Sequence, residues 1–398
     1  MDKTVVLGMA VLLVRVGQLF YAAGLSRSKN AAATAMRVVA DLCAATLAFW
    51  AVGTAILPCA GGVSGPRWHG FFAGSGATGE TFFFAAVMLV ATGSVAGALG
   101  ERSKFIVAWA TPVLLAGVVV PLAGRWAWSG WLARMGFVDV AGASVVHLSA
   151  GACAAAGAFL VGPRTGKYNR DGSANMVPGH QVPFVAAGVL VMLVGWVPYV
   201  AGSAALRGIS SAEVAAPMNV LLAAAAAGAA SIALGHFRYG KPDVALTLAG
   251  VMGGLVSISA AAGSVGTVSA VVIGAVAGLI VPWAAVTLDL MIHLDDPTGA
   301  VAIHAVGGLW GTLGAGLLAP VTFAERVRLT GAQALGALAI AALAGGLALA
   351  MFAALKATVG IRVSEADEYD GLDLAEHDVG AYPDFQQTMI KSYHLREA

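Results

Sequence analysis

From residue 4 to residue 358 the chain is a succession of apolar runs separated by short charged or Gly/Pro-containing breaks. The runs fall near 4–24, 36–57, 81–100, 105–124, 141–162, 182–203, 214–235, 243–261, 266–292, 300–320 and 331–358. Each approaches the roughly 20 residues that a helix needs to cross a hydrocarbon layer. Inside lipid every backbone N–H and C=O must be satisfied within its own segment, which makes such runs helices. The expected fold class is all-α and polytopic, with eleven transmembrane helices. Composition removes the soluble alternative: 11% of residues are charged and 59% hydrophobic, against about 25% charged in an ordinary soluble domain. The surface that this chain offers is suited to a lipid bilayer. A net charge of +1 gives no reason to expect nucleic acid or a strongly charged partner.

Met1-Asp2-Lys3 leads directly into the first run without a small-residue cleavage pattern, so that run is expected to be a helix and not a leader. An odd number of spans puts the termini on opposite sides. The loops after spans 1, 3, 5 and 7 hold Arg27, Lys29, Arg102, Lys104, Arg164, Lys167, Arg170, Arg238 and Lys241, and the alternate loops hold Arg67, Arg125, Arg134, Arg207, Arg326 and Arg328. The bias predicts an N-terminus outside and a C-terminus in the cytoplasm. Two regions follow: a transmembrane domain over 1–358 and a polar cytoplasmic tail over 359–398. Gly274-x-x-x-Gly278 and Gly307-x-x-x-Gly311 predict close helix crossings. Cys43, Cys59 and Cys153 are too scattered to imply a disulfide framework or a metal site. Gly74-Ser-Gly76-Ala-Thr-Gly79 matches the dinucleotide fingerprint by letter only, since no strand precedes it. Neither a cofactor nor an enzyme is expected, because no nucleophile–base pair or metal set appears.

Chemistry concentrates in a repeated segment. Six histidines (His69, His180, His236, His293, His377, His394) fall in loops, near span ends or in the tail, whereas His147 and His304 lie within spans 5 and 10. Asp139-Val-Ala-Gly142-Ala143-Ser-Val-Val-His147 aligns with Asp296-Pro-Thr-Gly299-Ala300-Val-Ala-Ile-His304, and Gly151 and Gly308 each follow four residues later. Two five-span halves carrying one motif run in opposite directions because five is odd, giving an inverted repeat with its site near the midplane between halves. Eight residues of helix, about 12 Å, carry each imidazole from its Asp into the hydrocarbon core. A single buried histidine is commonly satisfied by neighbouring carbonyls. A symmetric pair of costly intramembrane groups points instead to a pathway. Two neutral imidazoles, each with one donor and one acceptor nitrogen, can pass a proton or hydrogen-bond a small polar solute.

At these residues the chain resembles the Amt/Mep/Rh ammonium transporter family, in its bacterial Amt branch. The similar segments are Phe20-Tyr21 to Asn30, Gly97-Ala-Leu-Gly-Glu101-Arg102, Asp139 to Gly151, Gly195-Trp196 to Ser203, Asp295-Asp296-Pro297 to His304, and Gly371-Leu-Asp373 with His377 and Ala381-Tyr382. The resemblance implies eleven helices around one pore per subunit, a homotrimer, and residence in the cell (inner or plasma) membrane. It makes His147 and His304 the pore pair and Asp139 a buried structural carboxylate. It puts Trp128, Ser203 and Phe83 at an outer site that recruits ammonium, with Trp128 requiring a one-residue deletion before Asp139. Two departures concern the family's stacked phenylalanine gate. Val87 stands at its first ring and Tyr199 at its second, and Phe84 stands where a polar residue is usual. A Val offers no π face, so the gate is expected to be wider or to be rebuilt with Phe84 or Tyr199. Arg15, within the first span, has no partner that the sequence identifies.

The resemblance implies a mechanism. Trp128 attracts the cation through its π face and Ser203 accepts a hydrogen bond. The ion gives up a proton, and ammonia passes His147 and His304 through an apolar pore. It also implies a PII-type signal protein on the cytoplasmic face, with Arg102, Arg164 and Lys167 available to it or to the acidic tail from Glu365 to Asp378. The same three charges are equally explained as the positive-inside signal. The alternative function is an ammonium sensor of the same fold, for which the altered gate and the extended tail speak. A gas or methylamine channel of the Rh kind is a third reading.

Overall fold

In a computed structural model the described residues are 2–57, 68–73, 78–209 and 212–383. Cys59, Arg67, the Gly74–Gly76 stretch, His394 and the tail beyond 383 lie outside them. Nine helices among the described residues are long and apolar enough to cross a membrane. In chain order with two shorter apolar helices they are α1 (Lys3–Leu25), α2 (Ser28–Ile56), α3 (Gly79–Ala96), α4 (Phe105–Arg134), α5 (Ala143–Val161), α6 (Val182–Leu206), α7 (Ala212–Tyr239), α8 (Val244–Ile258), α9 (Thr267–Leu290), α10 (Val301–Leu317) and α11 (Phe323–Thr358). The short ones are α8 and α10. Two small helices of the tail follow, α12 (Glu365–Asp370) and α13 (Leu372–His377). The chain is an all-α, multi-pass membrane protein.

Small residues set the packing. α1 and α6 cross where Gly17 meets Gly188: a Cβ on Gly17 would lie 2.5 Å from the Gly188 carbonyl oxygen, and one on Gly188 would lie 2.6 Å from that of Gly17. Gly274 and Gly278 press the backbone of α9 onto Ala223 and Ala227 of α7, and Gly311 does the same against Ser257 of α8. These are the close approaches that apolar helices use in lipid, where burial of apolar surface does not drive association.

α5 and α10 are antiparallel. The Arg102 guanidinium, between α3 and α4, donates both to the Gly162 carbonyl at the end of α5 (2.7 Å) and to the Asp295 carbonyl before the start of α10 (2.6 Å). Arg164, three residues past α5, pairs with the Asp295 carboxylate at 2.8 Å. The exit of one histidine helix thus meets the entry of the other, as an inverted repeat requires.

The intramembrane Arg15 is paired. Its guanidinium meets the Asp41 carboxylate of α2 at 2.6 Å and donates to the Val38 carbonyl at 2.6 Å. The Thr92 hydroxyl of α3 donates to the same carboxylate at 2.8 Å. Burying one charge alone is prohibitive, whereas a hydrogen-bonded ion pair is tolerated, even with Arg15 Nε left without a partner.

Candidate functional site

The site begins with a carboxylate. Asp139 Oδ1 accepts from the amides of Gly142 (2.9 Å) and Ala143 (2.7 Å), and Oδ2 from those of Ser144 and Val145 (both 2.9 Å). Four amides at the entry of α5, which have no partner within the helix, are thereby satisfied by one side chain. Gly142 turns the chain at φ +97°, and Gly299 repeats the turn at +67° before α10. Both values fall where a side chain is disfavoured, which explains the glycine in each copy of the motif. Each histidine then lies in a π-helical turn, Ala143–Leu148 and Val301–Val306. Such turns are rare and recur at functional sites.

Three side chains from outside α5 hold the carbonyls ahead of it. Trp128 Nε1 donates to the Asp139 carbonyl at 2.8 Å, Arg207 Nε to that of Val140 at 2.5 Å, and the Tyr199 hydroxyl to that of Ala141. The entry segment is fixed on both its amide and its carbonyl side.

His147 and His304 stack at the crossing of α5 and α10, their ring centroids 5.2 Å apart and their planes inclined by 20°. The trailing glycines bring them there. A Cβ on Gly151 would collide with the backbone of Ala305, and one on Gly308 would lie 2.5 Å from the Ala143 carbonyl oxygen. The other face of the stack is Trp196, parallel to His147 at 5.0 Å and 12°, with its indole N–H donated to Ser259 Oγ at 3.0 Å. Tyr199 meets His147 edge-on at 6.2 Å. Both ring nitrogens of His147 and Nδ1 of His304 are buried without a hydrogen-bond partner among the described residues. Buried polar atoms of this kind are uncommon, and each asks for an explanation.

Two cavities lie on the tail side of the pair. A cavity of about 30 Å³ lined by His304, Gln18, Tyr21 and Thr298 adjoins one of about 540 Å³ lined by Tyr21, Thr298, Arg164, Asp295 and Asp296. Tyr21 Oη donates to the Thr298 carbonyl at 3.1 Å between them.

On the opposite side, Phe84 rests against Trp128 with ring centroids 5.7 Å apart and Phe83 packs edge-on to Phe84 at 5.9 Å. Phe83 also abuts Gly202, the neighbour of Ser203. Val87 and Ser203 are buried. Of the rings that sequence reasoning offered in place of a gate phenylalanine, Phe84 is turned onto Trp128 and Tyr199 sits beside His147. The Arg207 guanidinium carbon lies 3.9 Å from the Trp128 ring centroid. Sequence reasoning assigned no role to Arg207 or Trp196. Arg207 follows Ser203 by one helical turn, a spacing that puts both on one face.

On the tail side, Arg102, Arg164 and Lys167 are buried. Arg102 is spent on backbone carbonyls, Arg164 on Glu101 and Asp295 (2.8 Å each), and Lys167 on Asp289 (2.8 Å). They do not form an open basic surface. Burial pushes the Asp295 carboxyl up, but the Arg164 guanidinium outweighs it and holds the group at about 2. The tail docks elsewhere: Glu376 on Arg37 (2.6 Å), Glu368 on the Thr165 amide (2.6 Å), Asp373 on the Ala33 amide (2.7 Å), and Tyr382 on His180 (2.6 Å), with Glu368 also paired to Arg362 inside the tail (2.7 Å).

The profile of the Ammonium Transporter Family matches residues 4–382. The chain is 35% identical to the ammonium transporter Amt2 of Archaeoglobus fulgidus, over 95% of this chain and 87% of that protein. Among solved structures, a "Sensor Amt Protein" superposes with a TM-score of 0.88 at 32% identity, covering 94% of this chain and 97% of that one. Mep2 of Saccharomyces cerevisiae superposes with a TM-score of 0.80 at 23% identity, over 91% of this chain and 88% of that one, and so shares the fold. The chain belongs to the ammonium transporter family.

Proposed function

We propose that this chain takes up ammonium at the Trp128 side, where the ion releases a proton to water, and conducts ammonia past His147 and His304 to the Asp295–Asp296 vestibule. The observation that carries this reading is the stacked histidine pair, three of its four ring nitrogens buried without a protein partner and enclosed by apolar helices. A potassium ion of similar size cannot lose a proton, and carrying its bare charge through such a section costs several kcal/mol. Ammonium avoids that cost as ammonia, which keeps both donors and an acceptor for the imidazoles. In this reading Trp128, Ser203 and Phe83 form the recruiting site, Tyr199 with Trp196 closes over His147, and Asp139 braces the entry of α5. Val87 lines the section where Tyr199 replaces a paired ring. The protein works as a transporter and not an enzyme, with a transmembrane domain over 1–358 and a tail over 359–398. It is assembled as a homotrimer in the cell membrane, its N-terminus outside and its tail cytoplasmic. With Arg102, Arg164 and Lys167 buried, a PII-type partner would engage the docked tail and its neighbouring loops.

A second reading, an ammonium sensor, is favoured by the likeness to the "Sensor Amt Protein" and by one chain of contacts. Gln18 lines the narrow cavity below His304 and Arg15 Nη1 donates to it at 3.4 Å. Arg15 pairs with Asp41, and one turn away on α2 Arg37 holds Glu376 of the tail. Recording current and uptake together from purified protein in liposomes separates the readings. Saturable ammonium flux supports transport. Ammonium binding with no flux supports sensing.

A further inference from the structure

We propose that Arg207 is a resident cation of the outer aromatic site, a tethered competitor that sets how much ammonium is needed to occupy it. The inference rests on the reading of Trp128 as the recruiting surface. The guanidinium carbon lies 3.9 Å from the Trp128 centroid, well within the roughly 6 Å over which a cation is held by an aromatic face. Its position is built. Arg207 follows the last residue of α6, and Gly208 turns the chain away at φ +69°. Nε is anchored on the Val140 carbonyl at 2.5 Å, and the indole is anchored on the neighbouring Asp139 carbonyl at 2.8 Å. The two groups therefore face each other from one backbone segment.

Two observations separate this from a plain structural brace. Bracing Val140 uses Nε alone, yet Nη2 is buried without any hydrogen-bond partner, so the charged plane is held over the ring at the expense of its own hydrogen bonding. The indole also packs against Phe84, which leaves little free aromatic surface for a second cation. An ammonium ion reaching Trp128 must therefore displace the guanidinium or share the face with a like charge. Potassium and sodium meet the same repulsion without the hydrogen bonds that ammonium can give to Ser203.

The informative variant is Arg207→Gln. Its Nε2 falls at the chain position of Arg Nε, so the Val140 carbonyl keeps a donor while the charge and the plane over Trp128 are removed. Arg207→Met, which keeps only the stem, is the second variant. Ammonium saturation is measured with full-length protein in liposomes by current and in detergent by calorimetry, with melting temperature and oligomer size as controls on folding. We expect half-saturation in Arg207→Gln at about one-tenth of the wild-type ammonium concentration, the size of one cation–π contact. Millimolar guanidinium chloride should restore the wild-type value in the variant and leave wild type unchanged, while urea does neither. An unchanged half-saturation in either folded variant overturns the inference. So does a weakened response that guanidinium fails to reverse, which identifies a brace. If wild type neither binds nor moves ammonium but Arg207→Gln does, the inference stands and the transport reading falls. If both are silent, Trp128 is not an ammonium site and both fall.

Discussion

The two copies of the histidine segment share a motif and differ in how their carboxylates are used. Asp139 spends both oxygens on four amides. Asp296 accepts from the Val301 amide at 2.7 Å through Oδ2, while Oδ1 is buried with no partner. The position after Asp139 is Val140, whose amide is bonded to the Ala260 carbonyl at 3.1 Å. The position after Asp296 is Pro297, which has no amide to give. The Asp139 copy is held by Trp128, Arg207 and Tyr199. The Asp296 copy borders a cavity of about 540 Å³ and keeps an unused acceptor. The same eight-residue spacing thus builds a rigid helix start in one copy and a polar cavity wall in the other.

The contrast is broken most severely at Asp139. Asp139→Ala strands four buried amides, each costing about 1–3 kcal/mol, and is expected to abolish transport through loss of the α5 entry. Asp296→Ala strands far less and should lower stability by about 1–2 kcal/mol, with the protein still assembled. Thermal melting of the two variants side by side checks this, and equal losses would erase the distinction between the copies. A well-ordered Asp139→Ala protein that keeps its shape but no longer binds ammonium would instead assign the carboxylate a direct role in holding the cation.

The crossing is next in size. Gly151→Ala puts a methyl group into the Ala305 backbone, and overpacking of this kind costs about 1–3 kcal/mol. The expected outcome is a folded protein whose histidine rings have moved apart, with flux reduced more than tenfold. Flux at the wild-type level would mean that the spacing of the pair does not matter.

The effect confined to acid pH is at the tail-side cluster. The Asp295 carboxyl is held at about 2, below its ordinary 3.8. A depressed carboxyl contributes stability above its unfolded value and loses it as pH falls through the folded one. The contribution, about 2 kcal/mol, should be complete at pH 5 and disappear between pH 4 and 2. Asp295→Asn should flatten that part of a stability-against-pH curve. An unchanged curve removes the ion pair from the account.

Much of the architecture was legible because apolar length is a strong signal, and boundaries failed where charges sit inside helices. α11 begins at Phe323, not near 331, because Glu325, Arg326 and Arg328 interrupt the apolar run. Thr322 and Glu325 form a reciprocal capping box there, a pattern that could have been found in the sequence. α2 likewise starts at Ser28 and carries Arg37 and Asp41 within it. The motif glycines could be singled out by repetition, but their two separate uses, turning before the helix and crossing after the histidine, appear only in three dimensions. Arg15 was illegible because Asp41 and Thr92 belong to other helices. Arg102, Arg164 and Lys167 looked available because sequence position says nothing of burial, and their partners Asp289 and Asp295 are more than a hundred residues away. Arg207 escaped notice for a simpler reason: a single charge at a span end is ordinarily an interface charge.

The central claim, that ammonium crosses as ammonia beside the histidine pair, is tested most directly by ammonium and potassium flux through wild type, His147→Ala and His304→Ala in liposomes. The account predicts ammonium flux and potassium exclusion in wild type, with loss of ammonium flux or of potassium exclusion in both variants while each remains folded and assembled. Wild-type rates and selectivity in both folded variants would contradict it.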